Sequence, residues 1–192
     1  MATLQVKQGQ HDFKPSFFPW PRMLSEKILY FEYTLTESCW YDSLGVDNGD
    51  FNKAVGLFKY LDFAKNFNAF MLAWRPKLDE QFYFECVPYE NRAKAILANE
   101  DKIRVYKAGD VIKGYFKPSL TGCELYLILE ESVNPDKELT VSLDFQYKQS
   151  VILWHKSNLT TWLYGIVDSW FGGNRYSPQD MNVNLITKTI KL

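Results

Sequence analysis

Apolar and polar residues alternate with a period of two along most of the chain from Lys27 onwards. Within Lys27–Thr36, every second residue from Leu29 to Leu35 falls on one face of an extended chain. Such alternation is typical of a half-buried β-strand, and aromatic and β-branched residues favour it. The clearest example is Glu138–Lys148. Further strands are predicted at Phe67–Trp74, Gln81–Val87, Arg92–Leu97, Lys102–Tyr106, Val111–Lys117, Cys123–Glu131, Thr160–Val167 and Met181–Leu192.

Turn-forming residues separate the predicted strands. Clusters of Gly, Pro, Asn and Asp occur at Asp47–Asp50, Asn134–Asp136 and Gly172–Asn174, where such residues allow the chain to reverse. Helical periodicity is scarce, and the best helical candidate, Asn91–Ala98, fits a strand equally well. Short strands with frequent turns predict an all-β fold, either an antiparallel β-sandwich or a jelly roll.

The first 26 residues differ from the rest of the chain. His11–Arg22 holds three prolines and four aromatic residues in twelve positions. Proline fixes φ and removes a backbone donor, so we expect an extended arm over residues 1–26 and the folded domain over residues 27–192. The arm packs along its own domain or docks on a neighbouring chain. Its candidate interface residues are Phe13, Phe17, Phe18 and Trp20.

Catalytic residue types are scarce. The chain has two histidines and three cysteines, which offer little for nucleophilic or metal-dependent catalysis. It contains no Gly-x-Ser-x-Gly, P-loop or dinucleotide-binding motif. A glycosidase needs two carboxylates facing each other across a cleft, and no Glu-x-Asp-x-Glu triplet occurs. We therefore expect no catalytic residues and a protein that is not an enzyme.

The charge is balanced, with 22 Lys+Arg against 23 Asp+Glu and a net charge of −1. Nucleic-acid binding needs concentrated basic charge, and the basic residues are scattered. No apolar stretch reaches the roughly 18 residues that a membrane-spanning helix requires, and residues 1–18 lack the pattern of a secretory signal peptide. We expect neither nucleic acid nor membrane as a partner, and Cys39, Cys86 and Cys123 to be buried thiols in a reducing compartment.

One acidic loop carries the oxygen ligands that calcium prefers. Its candidate ligands are Asp42, Asp47, Asp50 and Asn52. The spacing differs from an EF-hand, because the twelfth position counted from Asp47 is Phe58 instead of Glu. Asp, Asn and Gly also recur in turns for backbone reasons alone. Calcium is thus the one cofactor considered, and ordinary turn chemistry is the favoured interpretation.

Aromatic residues make up 17% of the chain. Tryptophans at strand ends stack on sugar rings or anchor protein interfaces, although core packing is the alternative for each of them. The candidate glycan or contact surface comprises Trp40, Trp74, Arg75, Trp170 and Asn174.

Three sets of motifs carry a resemblance to a known group. They are Phe31–Asp42 leading into Asp50–Gly56, then Lys65-Asn66 with Ala73–Pro76, and finally Trp170–Asn174 with Pro178–Met181. In this order they resemble small concanavalin-like jelly-roll proteins of Bacteroides-group bacteria and their tailed phages, over roughly Lys27–Leu192. The resemblance implies a jelly roll and a virion setting. Where the relatives carry histidines, this chain has Phe63-Ala64 and Gln179, so no metal or catalytic role follows.

The expected function is therefore contact and not catalysis. We expect a non-enzymatic structural protein of a tailed-phage virion, assembled in the host cytoplasm, that contacts neighbouring subunits through its arm and sandwich edges. Its partners are other protein subunits in a homo-oligomeric or virion assembly. The alternative is a carbohydrate-binding jelly-roll module, and a polysaccharide-degrading enzyme is the least favoured hypothesis.

Overall fold

The computed structural model describes residues 1–15, 22–23, 27–42, 51–59, 68–76, 80–90, 93–94, 104–118, 123–128, 147–151, 163–167, 169–172 and 176–191. Within these ranges the chain forms thirteen β-strands and one 3₁₀ turn, Glu37–Cys39. No helix in the same ranges is long and apolar enough to cross a membrane. The strands are β1 (Ala2–Val6), β2 (Arg22–Met23), β3 (Lys27–Leu35), β4 (Asn52–Lys59), β5 (Asn68–Pro76), β6 (Gln81–Glu90), β7 (Ala93–Lys94), β8 (Arg104–Lys107), β9 (Val111–Pro118), β10 (Cys123–Ile128), β11 (Tyr147–Val151), β12 (Leu163–Val167) and β13 (Met181–Lys191).

The strands form two antiparallel sheets. The first sheet has the order β1-β13-β3-β9-β10-β11, and the second has the order β2-β12-β4-β5-β6-β7, with β8 also paired to β6. The described strand pairs are all antiparallel. The all-β class and the antiparallel β-sandwich predicted from the sequence are therefore confirmed.

The alternation along β3 works as predicted. Leu29, Phe31, Tyr33 and Leu35 are buried, whereas the residues between them are half-buried on the opposite face. The partner strand β13 repeats the pattern, with Val183 and Leu185 buried. The two buried faces meet the inner face of the second sheet, and together they form the main core of the sandwich.

Strand β5 of the second sheet is buried on both faces. Ala69–Trp74 in β5 are all buried, as expected from a segment in which both sets of alternate residues are apolar. The neighbouring strand β4 was not predicted, because its start was interpreted as an acidic loop. A bulge between Lys53 and Val55 shifts its register against β5, and a bulge of this kind interrupts the period of two.

Two parts of the N-terminal segment, over which the sequence predicts an extended arm at residues 1–26, pair with strands of the sandwich. Ala2–Val6 pairs with β13 at the edge of the first sheet, and Arg22–Met23 pairs with β12 at the edge of the second. Between them, Asp12 forms a bridge to Trp170. Neither β1 nor β2 contains a proline, so these strands form on either side of the proline-rich stretch from which the extended arm was predicted.

Hydrogen bonds hold the turn of this segment against the end of the chain. The Gly9 N–H donates to the Ser177 carbonyl at 2.9 Å, and the Ser177 N–H donates to Gln10 at 2.9 Å. Lys7 Nζ lies 2.7 Å from a carboxylate oxygen of Asp180. Residues 1–15 therefore pack on their own domain.

Other strand predictions are confirmed with shifted ends. Gln81–Val87, Lys102–Tyr106, Val111–Lys117, Cys123–Glu131 and Thr160–Val167 overlap strands β6, β8, β9, β10 and β12. Most of Glu138–Lys148 lies outside the described residues, and strand β11 begins only at Tyr147. The turns at Asp47–Asp50 and Asn134–Asp136 also lie outside the described residues.

Candidate functional site

The outer face of the second sheet carries a group of cationic and aromatic side chains, which we call the second-sheet cluster. Its members are Phe51, Lys53, Arg75, Tyr83 and Trp170. Strand register brings them together, because Arg75 of β5 lies directly opposite Tyr83 of β6 and Lys53 of β4 lies opposite Ala73 of β5. Arg75 and Trp170 were predicted surface residues, and the structure places both in this cluster.

Arg75 is held between two aromatic rings. Its guanidinium carbon lies 4.7 Å from the ring centroid of Phe51 and 5.5 Å from that of Tyr83. Each such cation–π contact is worth about 0.5–1 kcal/mol at an exposed site and more when water is excluded. Arg75 and Tyr83 are half-buried. The contacts therefore fix the orientation of a planar, positively charged group at the surface of the sheet.

Lys53 and Trp170 form the second half of the cluster. Their backbones exchange two hydrogen bonds of 2.9 and 3.1 Å, and Lys53 Nζ lies 5.6 Å from the ring centroid of Trp170. The lysine is only 5% exposed, and its ammonium donates to the Phe51 carbonyl at 2.6 Å. Burial of an ammonium group is costly without such partners, so the position of this charge is closely specified.

The cluster combines chemistries that suit ligand recognition. Aromatic ring faces stack on sugar rings or on apolar parts of a partner, and oriented cations attract carboxylate, sulfate or phosphate groups. Two small apolar clusters flank it on the same face: Phe58 with Ala69 and Met71, and Phe51 with Ala73. Phe51 and Lys53 are buried, so the half-buried side chains of Arg75, Tyr83 and Trp170 are the members of the cluster that a ligand could reach.

Trp74 is a correction to the predicted surface. Its side chain is 0% exposed and packs edge-on against Phe82, with ring centroids 5.7 Å apart. Neighbouring residues of a strand point to opposite faces, so Trp74 faces the core when Arg75 faces outward. Trp40 is half-buried and packs against the main core. Asn174 lies outside the described residues.

Asn52 is a correction to the calcium candidates. It is 2% exposed, and its carbonyl oxygen accepts the Gly172 N–H at 2.8 Å while its amide donates to the Tyr41 hydroxyl at 3.2 Å. This side chain joins three segments of the chain, and both ends of its amide serve that purpose. Asp42 is exposed, whereas Asp47 and Asp50 lie outside the described residues. The part of the chain that the structure describes contains no group of three or more His, Cys, Asp or Glu residues that could hold a metal.

Phe13 is a correction to the predicted interface arm. Its side chain is 1% exposed and belongs to the main core. The Phe13 N–H donates to the Ser169 carbonyl at 3.3 Å, which anchors the segment beside the second sheet. Phe17, Phe18 and Trp20 lie outside the described residues.

Two of the motif segments, Phe31–Asp42 and Pro178–Met181, contact each other. The Gln179 amide donates to the carbonyls of Ser38 and Trp40 at 2.8 and 2.9 Å. The Asn182 N–H donates to the Ser38 hydroxyl at 2.9 Å, and the Asn182 carbonyl accepts the Thr36 hydroxyl at 2.8 Å. Gln179, Ser38 and Thr36 therefore join the turn that follows β3 to the segment that leads into β13.

Cys39 and Cys123 are free and buried, as the sequence predicted for them. Burial raises the pKa of the Cys39 thiol to about 11. Its sulfur donates to the Asn182 carbonyl at 3.0 Å. Both features favour a protonated, structural thiol and oppose a nucleophilic role.

A second surface, which the sequence analysis missed, lies on the outer face of the first sheet. We call it the tyrosine face; it consists of Tyr30, Tyr115 and Tyr126, each half-buried. Tyr30 lies opposite Tyr115, and Tyr115 lies opposite Tyr126, so three adjacent strands each present one tyrosine in the same row. The rings of Tyr115 and Tyr126 stack with centroids 4.7 Å apart and planes 17° apart.

Carboxylates hold two of these tyrosines. The Tyr30 hydroxyl donates to Glu32 at 3.0 Å, and the Tyr126 hydroxyl donates to Glu124 at 2.8 Å. The only sequence signal for this surface was that tyrosine occupies polar positions of the alternation in β3, β9 and β10. The row itself depends on which strands pair, and the sequence does not indicate that.

No family model, curated protein sequence or solved structure matches this chain.

Proposed function

We propose that this chain is a non-enzymatic structural protein of a tailed-phage virion, assembled in the host cytoplasm, that contacts neighbouring protein subunits. The tyrosine face is the observation that carries the proposal. Tyrosine is enriched at the energetically dominant positions of protein interfaces, because it offers a large, rigid ring and a polar tip. Three tyrosines in one row, two of them tied to carboxylates, form a preorganised contact surface.

We expect this contact through an outer face of the sandwich. We do not expect it through the N-terminal segment or through the sheet edges at β1 and β2. The N-terminal segment pairs with β13 in one sheet and with β12 in the other, so the chain itself occupies the first edge of both sheets. Within β1, Gln5 also exchanges two backbone hydrogen bonds with Lys14, so this part of the edge is already paired and is not offered to another strand. Neighbouring subunits would therefore reach the flat outer faces.

We further propose that the sandwich is a concanavalin-like jelly roll. Near both ends of the chain, successive strands alternate between the sheets: β1, β3 and β13 belong to the first, and β2, β4 and β12 belong to the second. The sequence resemblance and the contact between two of its motifs, Phe31–Asp42 and Pro178–Met181, support the same interpretation.

Mass spectrometry of purified virions tests the proposed function. Particles would be banded on a density gradient and washed at high salt, and the peptide signals would be compared with those of the major capsid protein. The expected result is a constant ratio to that protein across the gradient peak. A chain that stays in the host fraction and is lost from the banded particles would refute the virion role.

The second-sheet cluster favours one alternative, a carbohydrate-binding module. The supporting observation is the stacking of Arg75 between Phe51 and Tyr83, which leaves a mixed aromatic and cationic surface. A glycan array, run with and without calcium, would compare the wild type with Arg75→Ala. Tyr176→Ala is the matched control, since this exposed tyrosine lies outside the cluster. Glycan binding that is lost in Arg75→Ala and kept in the control supports the alternative, and the absence of binding to any glycan ends it.

A further inference from the structure

Charged residues of both signs flank the tyrosine face in register. Glu32 of β3 lies opposite Lys113 of β9, in the row next to Tyr30 and Tyr115. On the other side of the tyrosines, Lys117 of β9 lies opposite Glu124 of β10. The face thus carries aromatic anchors in the middle and paired opposite charges on either side.

We propose that the tyrosine face binds the same face of a second copy of this chain, around a two-fold axis. The axis runs parallel to the strands, midway between the two facing sheets and above the gap between β3 and β9. This inference rests on the proposed function and names the partner of that surface. Two sheets that pack face to face keep their strands nearly aligned, about 10 Å apart. The axis therefore places β3 of each copy over β9 of the other.

Charge complementarity identifies the occupant. Because Glu32 and Lys113 stand at opposite positions in adjacent strands, the two-fold rotation brings Glu32 of one copy over Lys113 of the other, and the reverse. The same rotation brings Tyr30 over Tyr115. A two-fold interface requires such a self-complementary surface, and a partner with one dominant charge would meet repulsion at half of these positions.

The net charge agrees with self-association. At −1 for the whole chain, two copies approach without strong repulsion. Two tyrosine hydroxyls already donate to carboxylates of their own strand, so the rings are oriented before the partner arrives. An interface that is ordered in advance loses less side-chain freedom on binding.

Charge reversal tests the inference. Glu32→Lys and Lys113→Glu each place like charges across the axis twice per dimer, and the double variant restores opposite charges. Analytical ultracentrifugation over a concentration series would measure the dimer dissociation constant. We expect each single variant to weaken the dimer about tenfold or more and the double variant to recover most of the affinity.

The matched control is the pair Lys7→Glu and Asp180→Lys. These residues also form an exposed ion pair, but they lie outside the tyrosine face and its flanking charges, so the dimer should change little. Thermal unfolding of every variant separates weaker association from a damaged fold. Rescue by the double variant with unchanged thermal stability supports the two-fold contact.

Two results would overturn the inference: a wild-type chain that is monomeric at every concentration, and a dimer that is insensitive to both single reversals. Neither result would contradict the virion role, which mass spectrometry of particles tests separately. Conversely, a chain absent from virions that still forms the charge-sensitive dimer would refute the proposed function and leave the two-fold contact supported.

Discussion

Phe13 offers the sharpest test of how the N-terminal segment packs. The side chain is 1% exposed and lies in the same core cluster as residues from both sheets. Phe13→Ala removes a buried ring and leaves a cavity that the surrounding strands fill only in part. Such substitutions lower the free energy of unfolding by about 3–5 kcal/mol. Phe13→Leu keeps much of the volume, and the loss should be clearly smaller.

Urea denaturation followed by circular dichroism would measure this loss. In a chain of this length, each kcal/mol lowers the melting temperature by about 2–4 °C, so Phe13→Ala should melt roughly 6–20 °C below the wild type. The control is Tyr176→Ala, because Tyr176 is 63% exposed; it should cost under about 1 kcal/mol. If Phe13→Ala lowers the free energy of unfolding no more than this control does, the N-terminal segment does not pack in the core.

Three further predictions concern buried or paired polar groups. Asn52→Ala leaves a buried backbone N–H without its acceptor, and urea denaturation should show a loss of about 2–3 kcal/mol; a loss below about 0.5 kcal/mol would contradict the joining role of this side chain. The pKa of Cys39, raised to about 11, should make native alkylation at pH 8 far slower than alkylation in urea. The unfolded thiol ionises at lower pH than the folded one, so the stability should fall as the pH rises above about 9; Cys39→Ala should weaken that dependence. A hydrogen bond from Lys7 lowers the pKa of Asp180, so Lys7→Met should raise it in an NMR titration. The stabilising part of this pair should be lost as the pH falls through the pKa of Asp180.

The fold class could be predicted because alternation is a local signal. Leu29, Phe31, Tyr33 and Leu35 lie at every second position, and only an extended strand puts them all on one face. The sequence did not predict strand β4, because Asn52 and Lys53 suggest a loop and the bulge after Lys53 interrupts the period of two. Prolines in His11–Arg22 were given too much weight, and the short alternating strand β1 before them was passed over.

The surfaces were harder to predict than the fold. Trp74 and Arg75 were placed on one surface, although adjacent residues of a strand point to opposite sides; the alternation alone could have separated them. The row formed by Tyr30, Tyr115 and Tyr126 could be predicted only with knowledge of which strands pair. It depends on β3 pairing with β9 and β9 with β10, and hydrophobic patterning specifies which face is buried without specifying which strands are neighbours.

The pairing of the first strand with the last has a consequence for synthesis on the ribosome. Thr3 and its partner Asn184 are 181 positions apart, so β1 emerges early and must wait for almost the whole chain before β13 exists. At about 5–20 residues per second, this wait lasts on the order of ten seconds or more, during which Leu4 and Val6 have no native partner. Pairings between such distant segments also form slowly, because a long loop must close first. The first sheet therefore gains its edge strand only after β13 has left the ribosome, late in the synthesis of these 192 residues.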